Sequence, residues 1–259
     1  MSGQVDPPNV SPAEPAAETR RRSLRTAATI TAAVGAAHAL LFLLSFWLLS
    51  DVPGPNASNA EIEEFYASES SRRPVLVGLY VMPFAAIAFV WFIVALRMWI
   101  EASTRRVDAL LSNIQLVAGI LYVALFCAAA AASAVLAASV EFAEGDIDPV
   151  VAHSFPQFGD SLIFVFAFRM AAMFVFTTSS IGLASGVLPR WFAWCGYAVG
   201  LFLLLSAGFE WWFALVFPIW LLVVSVVLLR KARQIPPELT LPRHRAPLIA
   251  RQAPIERSP

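Results

Sequence analysis

Residues 161–185 read SLIFVFAFRMAAMFVFTTSSIGLAS, with one formal charge, Arg169, inside an otherwise oily run. A helix needs about 20 apolar residues to cross the hydrocarbon core at 1.5 Å rise per residue. This run is long enough. It is apolar on every side rather than at alternate positions, which suits a helix and not a barrel strand. Five further stretches meet the same requirement, approximately 26–50, 75–100, 109–138, 191–208 and 211–229. The expected fold is therefore all-α, a polytopic membrane bundle of six transmembrane helices.

Composition agrees. Hydrophobic residues make up 59% of the 259 and charged residues 14%, against about 25% charged in a soluble domain. Net charge is zero, yet the charges are sorted. With the N-terminus placed in the cytoplasm, 15 of the 18 Lys and Arg fall on that side with 7 acids. The other side holds only Arg72 and Arg73 as basic residues, against 11 acids. The positive-inside rule then predicts that both termini are cytoplasmic. The first apolar run exceeds the 7–15 residues of a signal-peptide core, so it is expected to be retained as an anchor. Seventeen Arg to one Lys, with abundant Ala, suggest a bacterial cytoplasmic (plasma) membrane protein.

Residues 1–23 are rich in Pro, Ala and Glu and are expected to form a disordered cytoplasmic tail. The basic run Arg20, Arg21, Arg22 and Arg25 marks the inner leaflet. Residues 24–233 form the transmembrane domain, and 234–259 a second disordered tail rich in Pro and Arg. Such a tail builds no core, so no soluble effector domain is expected. Between spans one and two, Ser58 and Glu61 have capping-box spacing, followed by Ile62, Phe65 and Tyr66 on one helical face. A short amphipathic helix is predicted there, capping the bundle or resting at the headgroups. The acidic stretch 141–160 reads as a solvated loop without the spacing of an EF-hand. Small residues at Thr31, Gly35 and Ala39 predict close helix packing within the chain.

Arg169 lies about nine residues inside span four, roughly 13 Å below the outer boundary at 1.5 Å per residue. A guanidinium at that depth is expensive and is expected to face the bundle interior. No acid lies within any span, so Glu210, in the turn before span six, is its leading carboxylate partner, with Asp160 and Glu141 as alternatives. Pro83 and Pro218 lack an N–H, which frees the carbonyls of Leu79 and Ala214. Tyr80 lies nearby in depth and His38 near the middle of span one. Arg169, Met173, Thr177 and Ser180 share one face, a polar stripe. Either Arg169 cross-links spans two, four and six, or it binds an anionic solute or lipid headgroup from outside.

Most catalytic chemistry lacks its groups. His38 is the one intramembrane His, which gives no bis-His haem site. His153 and His244 are isolated, so a zinc site lacks ligands. The stretch Gly182-Leu183-Ala184-Ser185-Gly186 misses the spacing of an intramembrane serine protease, and span six has no His to serve as base. Cys127 and Cys195 read as core packing rather than a redox pair. There is neither a Walker loop nor a dinucleotide fingerprint. No catalytic residue, cofactor or metal is expected, and no nucleic-acid partner. Membrane lipids are the expected partners, with a homo-oligomer or a partner membrane protein left open.

Three stretches carry a resemblance. They are Leu79-Tyr80-Val81-Met82-Pro83-Phe84 leading to Phe89-Val90-Trp91-Phe92, then Phe168-Arg169-Met170-Ala171-Ala172-Met173-Phe174, then Val187-Leu188-Pro189-Arg190-Trp191 leading to Gly196-Tyr197. In this order the chain resembles a group of bacterial six-span integral membrane proteins without an established activity, over roughly 25–230. The resemblance implies six spans and places Arg169 and Arg190 in recurring patterns. It implies no substrate. The expected function is a non-enzymatic structural or accessory membrane component; the alternative is a small transporter or channel that uses Arg169.

Overall fold

The computed structural model describes residues 13–54, 56–103, 108–143, 148–206, 208, 210 and 212–233. The expected disorder of 1–12 and of the tail from 234, and the charges Arg105, Arg106, Glu144 and Asp146, lie outside the described residues. The side chains of Arg20, Arg21, Arg22 and Arg25 lie outside them too. Among the described residues the fold is all helical: α1 (Ala13–Leu49), α2 (Asn59–Ala67), α3 (Glu69–Ser103), α4 (Ala109–Ala143), α5 (Pro149–Ser161), α6 (Phe168–Ala184), α7 (Arg190–Leu205) and α8 (Phe213–Arg233). A π-helical turn, Leu162–Ala167, joins α5 to α6 in one continuous rod.

Five helical segments are long and apolar enough to cross a membrane: Thr26–Leu49, Glu69–Glu101, Ala109–Ala143, Val150–Ala184 and Phe213–Arg230. The stretch expected as a span at 191–208 is shorter. Helix α7 has 16 residues and ends at Leu205, because Ser206 turns into an extended conformation. At 1.5 Å per residue it is about 24 Å long, short of the ~30 Å core.

One face of α3 is apolar and exposed. Its residues Val77, Tyr80, Phe84, Ile87, Trp91, Val94 and Met98 are all exposed. They follow one another by three or four positions, so they form a single apolar stripe along the helix. A continuous patch of this kind on a monomer marks a surface that water does not cover.

Opposite faces interlock. Helices α1 and α3 share the most extensive contact, and it depends on Gly35. A Cβ there would strike the Ser225 hydroxyl on α8 and stand 2.8 Å from the Phe92 ring on α3. Thr31, Gly35 and Ala39 thus serve internal packing. Helix α7 approaches α6 in the same way, with Gly200 on the Phe176 ring and Gly196 on Ser179. Helix α6 stops at Gly186, whose φ of 66° suits glycine, and the Leu188 N–H returns to the Gly182 carbonyl at 3.0 Å.

Two expectations need correction. Residues 13–23 continue α1 rather than belonging to a disordered tail. Their Ala, Glu and Arg are strong helix formers, and adding turns to an existing helix avoids the nucleation cost. The acidic stretch 141–160 is not one solvated loop. Asp148 caps α5 by accepting from the Val150 N–H at 2.8 Å, with Pro149 at the first position.

Helix α2 forms as the capping box predicts. The Ser58 N–H donates to the Glu61 carboxylate at 2.7 Å, and the Glu61 N–H donates to Ser58 Oγ at 3.3 Å. The first of these bonds holds the exposed Glu61 carboxyl below its usual range. Ile62 and Tyr66 are buried in a second, smaller core with Val75, Ala134, Ala137 and Ala152. Helix α2 therefore caps the bundle. Arg72 fastens it, donating to the Tyr66 carbonyl and pairing with Glu141 on α4 at 3.0 Å.

Replacing Arg72 with Gln removes both bonds and is expected to lower the opening free energy of α2 by about 2 kcal/mol, as for hydrogen bonds to charged groups. Faster cleavage at Glu63 and Glu64 by a glutamate-specific protease, with the spans still protected, checks this.

Candidate functional site

The expected polar site divides into separate parts. Arg169 is half-buried on α6, and its guanidinium donates to the backbone carbonyl of Phe164. That carbonyl belongs to the π-helical turn, where one extra residue interrupts the regular i→i−4 ladder. Arg169 thus brings a donor to the place where its own helix changes pitch. Glu210 is exposed and makes no ion pair among the described residues, whose two pairs are Arg72–Glu141 and Arg73–Glu69. The expected link from Arg169 to Glu210 is absent, as is a bond to the Leu79 or Ala214 carbonyl. A charge on a helix is satisfied most cheaply by its own backbone within one turn, and the π turn makes such a partner available.

The remaining residues disperse. Tyr80 is 73% exposed on the apolar stripe of α3. Pro83 faces outward beside it, and Pro218 is buried within α8. Thr177 turns back on α6, donating to the Met173 carbonyl at 2.8 Å. Only Ser180 of the expected polar stripe reaches another helix, meeting the Tyr197 hydroxyl on α7 at 2.7 Å.

His38 forms a site of its own. It is fully buried, and its Nδ1 lies 2.9 Å from the Ala85 carbonyl on α3. A carbonyl only accepts, so Nδ1 carries the proton and Nε2 is bare. Among the described residues Nε2 has no hydrogen-bond partner, and neither has the Tyr122 hydroxyl. Aromatic rings enclose the imidazole, Phe89 at 4.6 Å and Phe42, Tyr122 and Phe126 at 6.0–6.2 Å between centroids. Seven positions earlier in α3, the Gly78 carbonyl accepts from Ser45 at 2.5 Å. Helix α1 therefore holds α3 by side chain to backbone on both sides of Pro83. A proline ring tilts the turn that precedes it and opens carbonyls to outside donors.

Sequence reasoning missed the tie between α4 and α6, where Gln115 Nε2 donates to Thr178 Oγ1 at 2.6 Å, both side chains being buried. A Gln inside an apolar run is the signal that could have found it. It also missed a cavity of about 220 Å³ at the end of the bundle that carries α2, lined by Phe46, Met82, Ser133, Gln157, Asp160 and Phe164 among others. A shallow apolar groove of about 370 Å³ lies between α4 and α6, lined by Asn113, Val117, Met170 and Met173 among others. Arg169 lines neither.

Arg169→Gln leaves a side chain too short to reach the Phe164 carbonyl. Amide exchange is expected to rise about tenfold or more over 162–169, as losing a ~1.5 kcal/mol bond implies, while α1 and α3 keep their protection; equal exchange in both proteins defeats this assignment. His38→Phe retains the ring and is expected to cost about 1 kcal/mol. His38→Ala leaves a void as well and is expected to cost about 3 kcal/mol. Denaturant titration in micelles measures both. The chain matches no protein-family model, no curated protein and no solved structure.

Proposed function

We propose that this chain is a six-span protein of the bacterial cytoplasmic membrane with both termini in the cytoplasm, acting as a non-enzymatic structural or accessory component. One observation carries the reading. An unbroken aromatic column runs along the bundle: Phe46, Phe42, Phe126, Tyr122, Phe217, Trp220 and Phe192, with successive centroids 4.7–6.3 Å apart. Phe89 and Phe174 flank it from α3 and α6. Every long helix contributes a ring. Rings at these separations are in contact, each pair adding about 0.5–1.5 kcal/mol. A bundle packed in this way resists the opening that alternating access requires.

The six-span part rests on α7 running antiparallel to both neighbours. Gly196 and Gly200 lie beside Ser179 and Phe176 on α6, while Phe202 meets Phe213 on α8. Charge sorting along the sequence supports cytoplasmic termini, with α2 on the outer face. The alternative of an anion carrier built on Arg169 is less favoured, because that guanidinium already serves its own helix.

Two measurements test this. Protein reconstituted into liposomes is expected to leave potassium, chloride and phosphate flux at the level of lipid alone; a saturable flux in any of them would replace this reading with a transporter. In a background of Cys127→Ala and Cys195→Ala, Asn56→Cys is expected to react with an impermeant maleimide from outside intact cells. Asp108→Cys is expected to react only after the cells are opened.

A further inference from the structure

We propose that the cavity at the α2 end of the bundle binds an organic ammonium ion through Asp160. The cavity lies where α1, α3, α4 and α5 meet, and its wall is of two kinds. Phe46, Leu49, Val52, Met82, Ala130, Ile163 and Phe164 supply apolar and aromatic surface, and Ser50, Ser133, Gln157 and Asp160 supply polar groups. No Lys or Arg lines it. Asp160 is half-buried, and its carboxylate makes neither an ion pair nor a hydrogen bond among the described residues.

The position of that carboxylate is built into the packing. A Cβ at Gly159 would stand 2.9 Å from the Ala129 carbonyl and strike the Ser133 hydroxyl. Glycine therefore lets α5 rest directly on α4 and sets Asp160 on the cavity wall. The nearby cations are engaged elsewhere: Arg72 with Glu141, Arg73 with Glu69, and Arg169 with the Phe164 carbonyl.

Charge and surface together choose the ligand. A bare divalent metal takes six or more oxygen ligands and favours several carboxylates, and one carboxylate with two hydroxyls and an amide falls short of that. An ammonium bearing a short apolar body fits both halves, its charge at Asp160 and its body against Phe46 and Phe164, where cation–π attraction adds to burial. About 220 Å³ limits that body to roughly a single ring or a short chain. A free amine and the ammonium of a phosphatidylethanolamine headgroup share this chemistry. The binding chemistry is independent of the role proposed above, which supplies only the face on which the cavity opens.

The probe is benzylammonium, titrated calorimetrically into the full chain in detergent micelles, with benzyl alcohol as its neutral counterpart. Saturable binding at least tenfold tighter for benzylammonium is expected, with Asp160→Asn weakening it tenfold or more. Phe46→Leu, which leaves the carboxylate in place, is expected to weaken it about threefold. An unchanged melting profile shows that each variant is folded. Equal binding of the alcohol, or full binding by folded Asp160→Asn, overturns the proposal, as does no binding by the native chain. Vesicles then name the source. Weaker benzylammonium binding in phosphatidylethanolamine than in phosphatidylglycerol vesicles identifies the headgroup as the occupant, and equal binding identifies a free amine.

Discussion

Inside an apolar bundle a polar group has little water to turn to, so most of the hydroxyls and the Arg169 guanidinium take their partners from the protein itself. Most do so over short distances. Thr31, Thr177, Ser180 and Ser225 donate to carbonyls one turn back on their own helices. Arg169 does the same across the π-helical turn. Few bonds pass between helices, and they are specific: Ser45 to Gly78, His38 to Ala85, Gln115 to Thr178 and Ser180 to Tyr197. In lipid each contributes about 0.6 to 2 kcal/mol. Such bonds set register more than they supply cohesion.

Cohesion comes from shape. Glycines at 35, 119, 196 and 200 each sit against a side chain of another helix, so backbones approach closely where ring-bearing residues leave room. The aromatic residues fill the remaining space along the axis. His38 belongs to this packing as much as to the hydrogen-bond pattern, one of its nitrogens anchored to Ala85 and its ring enclosed by four others. Close packing of this kind resists shear between helices.

The end carrying α2 is built differently. There the helices extend past the apolar core and gather a second cluster around Ile62, Tyr66 and Ala152, held by the Arg72–Glu141 pair. Burial pushes the Tyr66 phenol up to about 12. The cap covers the bundle incompletely, and the cavity beside it is where acidic and aromatic surfaces meet. Polar side chains at this end have access to solvent, and Asp160 keeps its carboxylate unpaired among the described residues.

The five long apolar helices, the cap on α2 and the close packing at Gly35 were legible in the sequence because each depends on local order: apolar length, a Ser-x-x-Glu box, small residues four apart. The partners of Arg169 and His38 were not. Composition drew attention to Arg169 and to Glu210 as its counter-charge, yet a π-helical turn five residues away offered a nearer acceptor. Nothing in a run such as Phe164-Val165-Phe166 announces a change of pitch. Tyr80 shared the depth of Arg169 but not its direction, and depth is all that spacing along a chain provides. Which helix faces meet, and therefore which side chains converge at the α2 end or around His38, was decided by tertiary packing. Side-chain volumes from six separate segments must interlock there at once, and no local rule contains that fit.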